Sequence, residues 1–153
     1  MSHVSHETTN ITRLAFQATV HCLTGCGIGE VVGLAGGTAI GLGNSATLVL
    51  GIVLAYTFGY ALTLVPLLRA GMPIVRASGI TFAAETLSIT TMEIVDNLVV
   101  LGIPGAMDAG LADFLFWASL AVSLALAFVA AFPVNRWLIA RGLGHAVVHG
   151  MHS

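Results

Sequence analysis

The chain has 153 residues, 57% of them hydrophobic and only 8% charged, with a formal net charge of −2. So few charges cannot clothe a soluble domain of this length. There is no basic patch, which excludes nucleic acid as a partner and leaves the lipid bilayer as the expected surroundings.

Residues 1–12 are polar, with no basic cluster ahead of a short apolar core. They do not read as a cleaved leader, so the first apolar segment is expected to be retained. Four segments then follow that are long enough to cross a bilayer at roughly 20 residues each: 13–36, 45–69, 74–103 and 114–139. Segments of about ten residues with alternating polarity, which a membrane β-barrel needs, are absent. The expectation is an all-α integral membrane four-helix bundle forming one transmembrane domain over 1–153, with a His-containing tail at 140–153.

The first segment carries Gly25, Gly29, Gly33 and Gly37, a small residue every fourth position, which allows close approach of another backbone. Cys22, Cys26 and Glu30 recur at the same spacing one position to the side, and His21 borders them. Packing alone explains most of the glycines, and the cysteines fit equally as small buried hydrophobes. A disulfide between them is disfavoured one turn apart on a helix. Taken together, sulfur, imidazole and carboxylate in one stripe suit a metal ion.

The second segment is uncharged until its end. Tyr56 and Tyr60 are its notable groups and are expected to pack against neighbours. Its terminus, Pro66-Leu67-Leu68-Arg69, resembles Pro133-Val134-Asn135-Arg136 at the end of the fourth, each Pro being expected to kink its helix. This likeness admits a plan of two helix hairpins repeated in parallel, and equally admits coincidence.

The third segment is the most polar. On a 3.6-residue wheel Ser78, Thr81, Glu85, Ser88, Met92 and Asp96 fall within about 60° of Glu85, with Glu93 and Asn97 beside them. A hydrogen-bonded seam would account for the hydroxyls, but three carboxyls exceed what packing requires. An ionisable group at the bilayer centre costs from about 2.5 to more than 10 kcal/mol. Four of the seven acidic residues, Glu30, Glu85, Glu93 and Asp96, lie inside apolar segments.

The fourth segment has Trp117 and Trp137 near its two ends, as interfacial anchors do. With the second it is expected to face lipid. All five basic residues, Arg13, Arg69, Arg76, Arg136 and Arg141, fall on one side of a four-crossing chain. The positive-inside rule then places both termini in the cytoplasm. Asp108 and Asp113 lie in the opposite loop, where they would concentrate cations. His145 and His149, one helical turn apart in the tail, would receive or sense a metal, or simply be solvated.

Ordered by depth, Glu30, Glu93, Asp96 and Asn97 stand outermost, Cys22, Cys26, Ser88 and Met92 near the middle, and His21 and Glu85 innermost. The expected function is a membrane cation channel or transporter with a metal ion as cargo. Copper(I) would suit the sulfurs, zinc the mixture and calcium the carboxylates. Other readings are a membrane redox or metal-cofactor protein associated with copper handling, and a scaffold subunit whose polar face binds a partner. A homo-oligomer is expected, because four helices shield four carboxyls poorly.

The runs His21-Cys22-Leu23-Thr24-Gly25-Cys26, Met92-Glu93-Ile94-Val95-Asp96-Asn97 and Arg141-Gly142-Leu143-Gly144-His145-Ala146 resemble an uncharacterised bacterial multi-pass membrane family. It is a domain of unknown function, some members of which are labelled copper oxidase. The resemblance implies a bacterial inner membrane location and copper as context. A copper oxidase needs many convergent histidines; this chain has one inside its apolar segments, so no enzyme activity is expected.

Overall fold

The computed structural model describes residues 2–143, and their side chains from Asn10 onward. Four helices follow one another: α1 (Ser2–Ala39), α2 (Asn44–Arg69), α3 (Ile74–Gly102) and α4 (Phe114–Ala140). A single 3-10 turn, Ala106–Asp108, sits in the loop before α4, and there is no strand among the described residues. The side chains of His3 and His6, and all of His145, His149 and His152, lie outside what is described.

The first two connections are four residues each, and each turns at a glycine in the left-handed region, Gly41 (φ 74°) and Gly71 (φ 84°). A side chain there would be strained. Such short links force neighbouring helices antiparallel, and the contacts agree. α1 lies along α2 and α3 along α4, while α1 also meets α4 and α2 also meets α3. The helices thus stand in the order 1-2-3-4 around the bundle. Across its diagonals, α1 touches α3 and α2 hardly touches α4.

The α1–α2 contact explains why α1 is glycine-rich. A Cβ built on Gly25 would lie 2.8 Å from the Gly59 Cα, and one on Gly33 would lie 2.5 Å from the Gly51 Cα. At Gly29 it would collide with the Ala55 backbone. The partner track is therefore Gly51, Ala55, Gly59 and Thr63 of α2, all buried at a spacing of four. Two small-residue faces bring the backbones together, the packing mode expected where lipid offers no hydrophobic drive between helices.

At 26, 29 and 27 residues, α2, α3 and α4 each run to about 40 Å, beyond the roughly 30 Å hydrocarbon core. Both Pro66 and Pro133 sit inside their helices, which continue through them. Asn10–Ala39, Asn44–Arg69 and Phe114–Ala140 are long and apolar enough to cross a membrane. This is a membrane protein, and its apolar helices suit contact with a bilayer. α3 falls short of that composition because Arg76, Glu85, Glu93 and Asp96 lie along it.

α3 nonetheless buries all three of its acids, beside Ala77, Ala84, Ile89 and Met92, and exposes large apolar side chains. Phe82, Leu87, Ile94, Leu98 and Leu101 are exposed, whereas Thr81, Glu85, Ser88, Glu93 and Asp96 are buried. Ser78, counted in the same stripe by periodicity, is exposed in the first turn. α4 also buries polar groups, Ser119, Ser123 and Asn135, and so is not purely a lipid-facing wall. The Asn135 amide donates to Thr19 Oγ1 at 3.0 Å, and that hydroxyl donates to the Ala15 carbonyl at 2.7 Å.

Candidate functional site

The polar side chains of α1 and α3 meet along the short diagonal and form three layers. The layer nearest the arginine-bearing end centres on Glu85, which is 0% exposed. The Cys22 thiol donates to its Oε2 at 3.0 Å, and the Thr63 hydroxyl of α2 donates to its Oε1. Thr63 Oγ1 also lies 3.2 Å from His21 Nε2. Ser88 adjoins Cys22 across the interface. His21, Cys22, Glu85 and Ser88 are therefore brought together, and Thr63 joins them from α2, whose one charge is the terminal Arg69. Each carboxyl oxygen of Glu85 has a donor, which is how a buried acid is held without a large desolvation penalty.

The middle layer is sulfur. Cys26 Sγ faces Met92 Sδ at 4.0 Å. Ala55, Ile89, Ala127 and Ala131 close around the pair, all fully buried. Both cysteines are free. Tyr56 and Tyr60 flank this core, but their hydroxyls do more than pack. Thr90 donates to the Thr86 carbonyl at 2.6 Å, so its oxygen accepts from the Tyr56 hydroxyl at 2.6 Å. Tyr60 pairs with Thr86 at 2.7 Å. These bonds stitch α2 to α3 on the flank of the polar layers.

The outer layer differs in kind. Glu30 of α1 is close enough to Asp96 and Glu93 of α3 to interact with both. Glu93 and Asp96 are 5% and 4% exposed, and all three carboxyls line one cavity of about 260 Å³. One buried oxygen on each, Glu30 Oε1, Glu93 Oε1 and Asp96 Oδ1, has no hydrogen-bond partner. The Asn97 amide reaches back to the Glu93 carbonyl at 2.7 Å and to Glu93 Oε2 at 3.3 Å, which orients that carboxyl. Every arginine lies at the other end of the bundle.

The two loop acids part company. Asp108 lines the cavity and accepts from Asn44 Nδ2 at 2.6 Å, tying the start of α2 to the α3–α4 loop. Asp113 is turned into its own loop, where Oδ2 accepts the Gly110 N–H at 2.6 Å. Among the described residues, no three His, Cys, Asp or Glu side chains converge tightly enough to hold one metal ion.

Two functional neighbours escaped the reading of the sequence. Thr63 carries no local sign of its contact with Glu85; its signal is the every-fourth register with Gly51, Ala55 and Gly59. Nothing local pairs Asn44 with Asp108, 64 positions away. One chain buries Glu85, Glu93 and Asp96 and leaves Glu30 half-buried.

No curated protein and no solved structure matches the chain. A family model does, over residues 13–144, which takes in every layer just described. The chain belongs to the family described as a domain of unknown function, DUF4396.

Proposed function

We propose that this protein is a multi-pass membrane cation channel or transporter, with the outer cavity as its point of capture. The observation that carries the reading is the set of three carboxyls around one cavity of about 260 Å³, each with a buried oxygen that no protein group satisfies. An unsatisfied buried acceptor costs about 1–3 kcal/mol, and more when charged. Three of them, on residues that line one cavity far from every arginine, are supplied with positive charge most directly from solution. Rings of acidic groups serve cation entry in the same way.

The buried acids and exposed apolar side chains of α3 support its crossing the membrane as a fourth span, with its apolar side to lipid. Positive charge at one end then sets both termini in the cytoplasm. From the cavity the path runs past Cys26 and Met92 to Cys22, Glu85 and His21. It lies within one subunit, because a single chain already buries Glu85, Glu93 and Asp96. Cys26 and Met92 are packed among Ala55, Ile89, Ala127 and Ala131, so passage requires the α1–α3 diagonal to loosen there. Metal ions are the cargo that the mixed donors along the path favour, with copper(I) drawn to the sulfurs of Cys22, Cys26 and Met92.

Purified protein in liposomes, tested with a panel of monovalent and divalent cations, decides the matter. Flux that disappears in Glu85→Gln/Asp96→Asn is the expected result. Unchanged flux in that variant, or none in the parent, removes the reading. As a resident metal-cofactor centre the same residues fit less well. The Cys26–Met92 pair offers two sulfurs 4.0 Å apart, and among the described residues no three His, Cys, Asp or Glu side chains converge on one point. Stoichiometric bound metal with a visible absorbance band would reverse that judgement.

A further inference from the structure

We infer that the outer cavity binds a small organic ammonium ion, a positively charged nitrogen head carrying a short apolar body. This deepens the cation reading and rests on it. The head has its acceptors in Glu30, Glu93 and Asp96, which line the cavity; Glu93 and Asp96 are more than nine-tenths buried and each has a carboxyl oxygen without a hydrogen-bond partner. An ammonium group needs two or three acceptors at hydrogen-bonding distance. A bare calcium ion needs six to eight oxygens at 2.3–2.6 Å, and magnesium a near-ideal octahedron. The acids do not converge to that degree.

The rest of the wall decides between an inorganic and an organic occupant. Leu34, Ile52, Val100, Phe116 and Leu120 line the same cavity as the carboxyls. A hydrated metal would leave those surfaces facing water. An alkyl chain covers them, and pockets for organic ligands combine an apolar wall with a few placed polar groups in this way. The cavity volume, about 260 Å³, lies just below the roughly 300–1,000 Å³ of sites for drug-sized molecules, so the occupant is small. Asn44 and Asp108, bonded to each other at 2.6 Å, stand at the loop side where such a molecule would enter.

The test is calorimetric titration of the full chain in lipid nanodiscs with methyl-, butyl- and hexylammonium, with 1-butanol and with calcium, against empty nanodiscs. Saturable one-to-one binding of butylammonium is expected, with affinity rising about fourfold per methylene until the cavity fills. 1-Butanol is expected to bind at least tenfold more weakly, as is butylammonium to Asp96→Asn. Val100→Phe, which narrows the wall without altering charge, should shift the preference to shorter chains; it carries the decision alone if Asp96→Asn does not fold. Affinity independent of chain length overturns the assignment in favour of small hydrated ions. Equal uptake by parent, variants and empty discs overturns it in favour of lipid partition. The two proposals fail separately: ammonium binding without cation flux in liposomes sinks transport alone, whereas metal flux without ammonium binding sinks this assignment alone.

Discussion

The two ends of the α1–α3 diagonal hold the same chemistry in opposite conditions. At the inner end Glu85 is fully buried and both its oxygens are met, by Cys22 and Thr63. At the outer end Glu30, Glu93 and Asp96 line a cavity, and one buried oxygen on each is unmet. The inner acid is fastened into the structure, and the outer acids are held ready for something else. Acidic residues inside a membrane helix therefore do not by themselves mark a site. The contrast between satisfied and unsatisfied acceptors does, because only the second kind carries a standing cost that a ligand can relieve.

The harshest way to break this comparison is to part the helices that frame both ends. Gly29→Leu would drive a branched side chain into the Ala55 backbone, and overpacking of that severity is expected to cost about 3 kcal/mol or more. Thermal unfolding in detergent should show the loss, together with the loss of any cation binding. A melting temperature within a degree or two of the parent would mean that α1 and α2 do not meet at this crossing.

Substitutions at the two ends should then separate. Glu85→Ala strands the Cys22 and Thr63 donors in a closed interior and is expected to destabilise by about 1–3 kcal/mol. Asp96→Asn and Glu93→Gln instead replace buried carboxyls that each have an oxygen without a partner. They are expected to leave stability unchanged or raised while lowering cation flux and binding at least tenfold. If the outer variants unfold as readily as Glu85→Ala, the distinction between the two ends is lost.

Smaller effects sharpen the picture. Cys22→Ala deletes one hydrogen bond in a membrane interior, where such bonds are worth about 0.6 kcal/mol on average and up to about 1.7. Cys22→Ser keeps a donor and should recover most of that loss, while removing any preference for soft metals in the flux assay. The least effect belongs to Asp113→Asn, which loosens one loop contact to Gly110 and should leave ion binding as it was. Asp108→Asn should instead slow cation entry, since Asp108 lines the cavity. Equal behaviour of these two loop variants would argue against an entrance on the Asn44 side.

Much of the layered site was legible one helix at a time. The helical period alone puts Glu85, Ser88, Met92 and Asp96 on one side of α3, and the spacing of four does the same for Cys22, Cys26 and Glu30 on α1. What it could not show is which acids find partners. Thr63 and Glu85 are 22 residues apart and Cys22 and Glu85 are 63 apart, and no local pattern relates them. Asp108 and Asp113 read alike as loop acids, yet one faces the cavity and the other its own backbone. The same holds for α2, where Gly51, Ala55 and Gly59 gain their meaning only from the glycines opposite.

Composition, the placement of arginine and the two helical periodicities are properties of the chain itself. They determined that this is a helical membrane protein with carboxyl and sulfur groups on the inward sides of α1 and α3. Local sequence can do this because burying charge in hydrocarbon is costly enough to pattern every helix. Which carboxyls are satisfied and which surround a cavity was decided only by how four helices pack. That depends on distances between residues far apart in sequence, set here by glycine contacts between α1 and α2 and by the hydroxyls that α2 lends to α3.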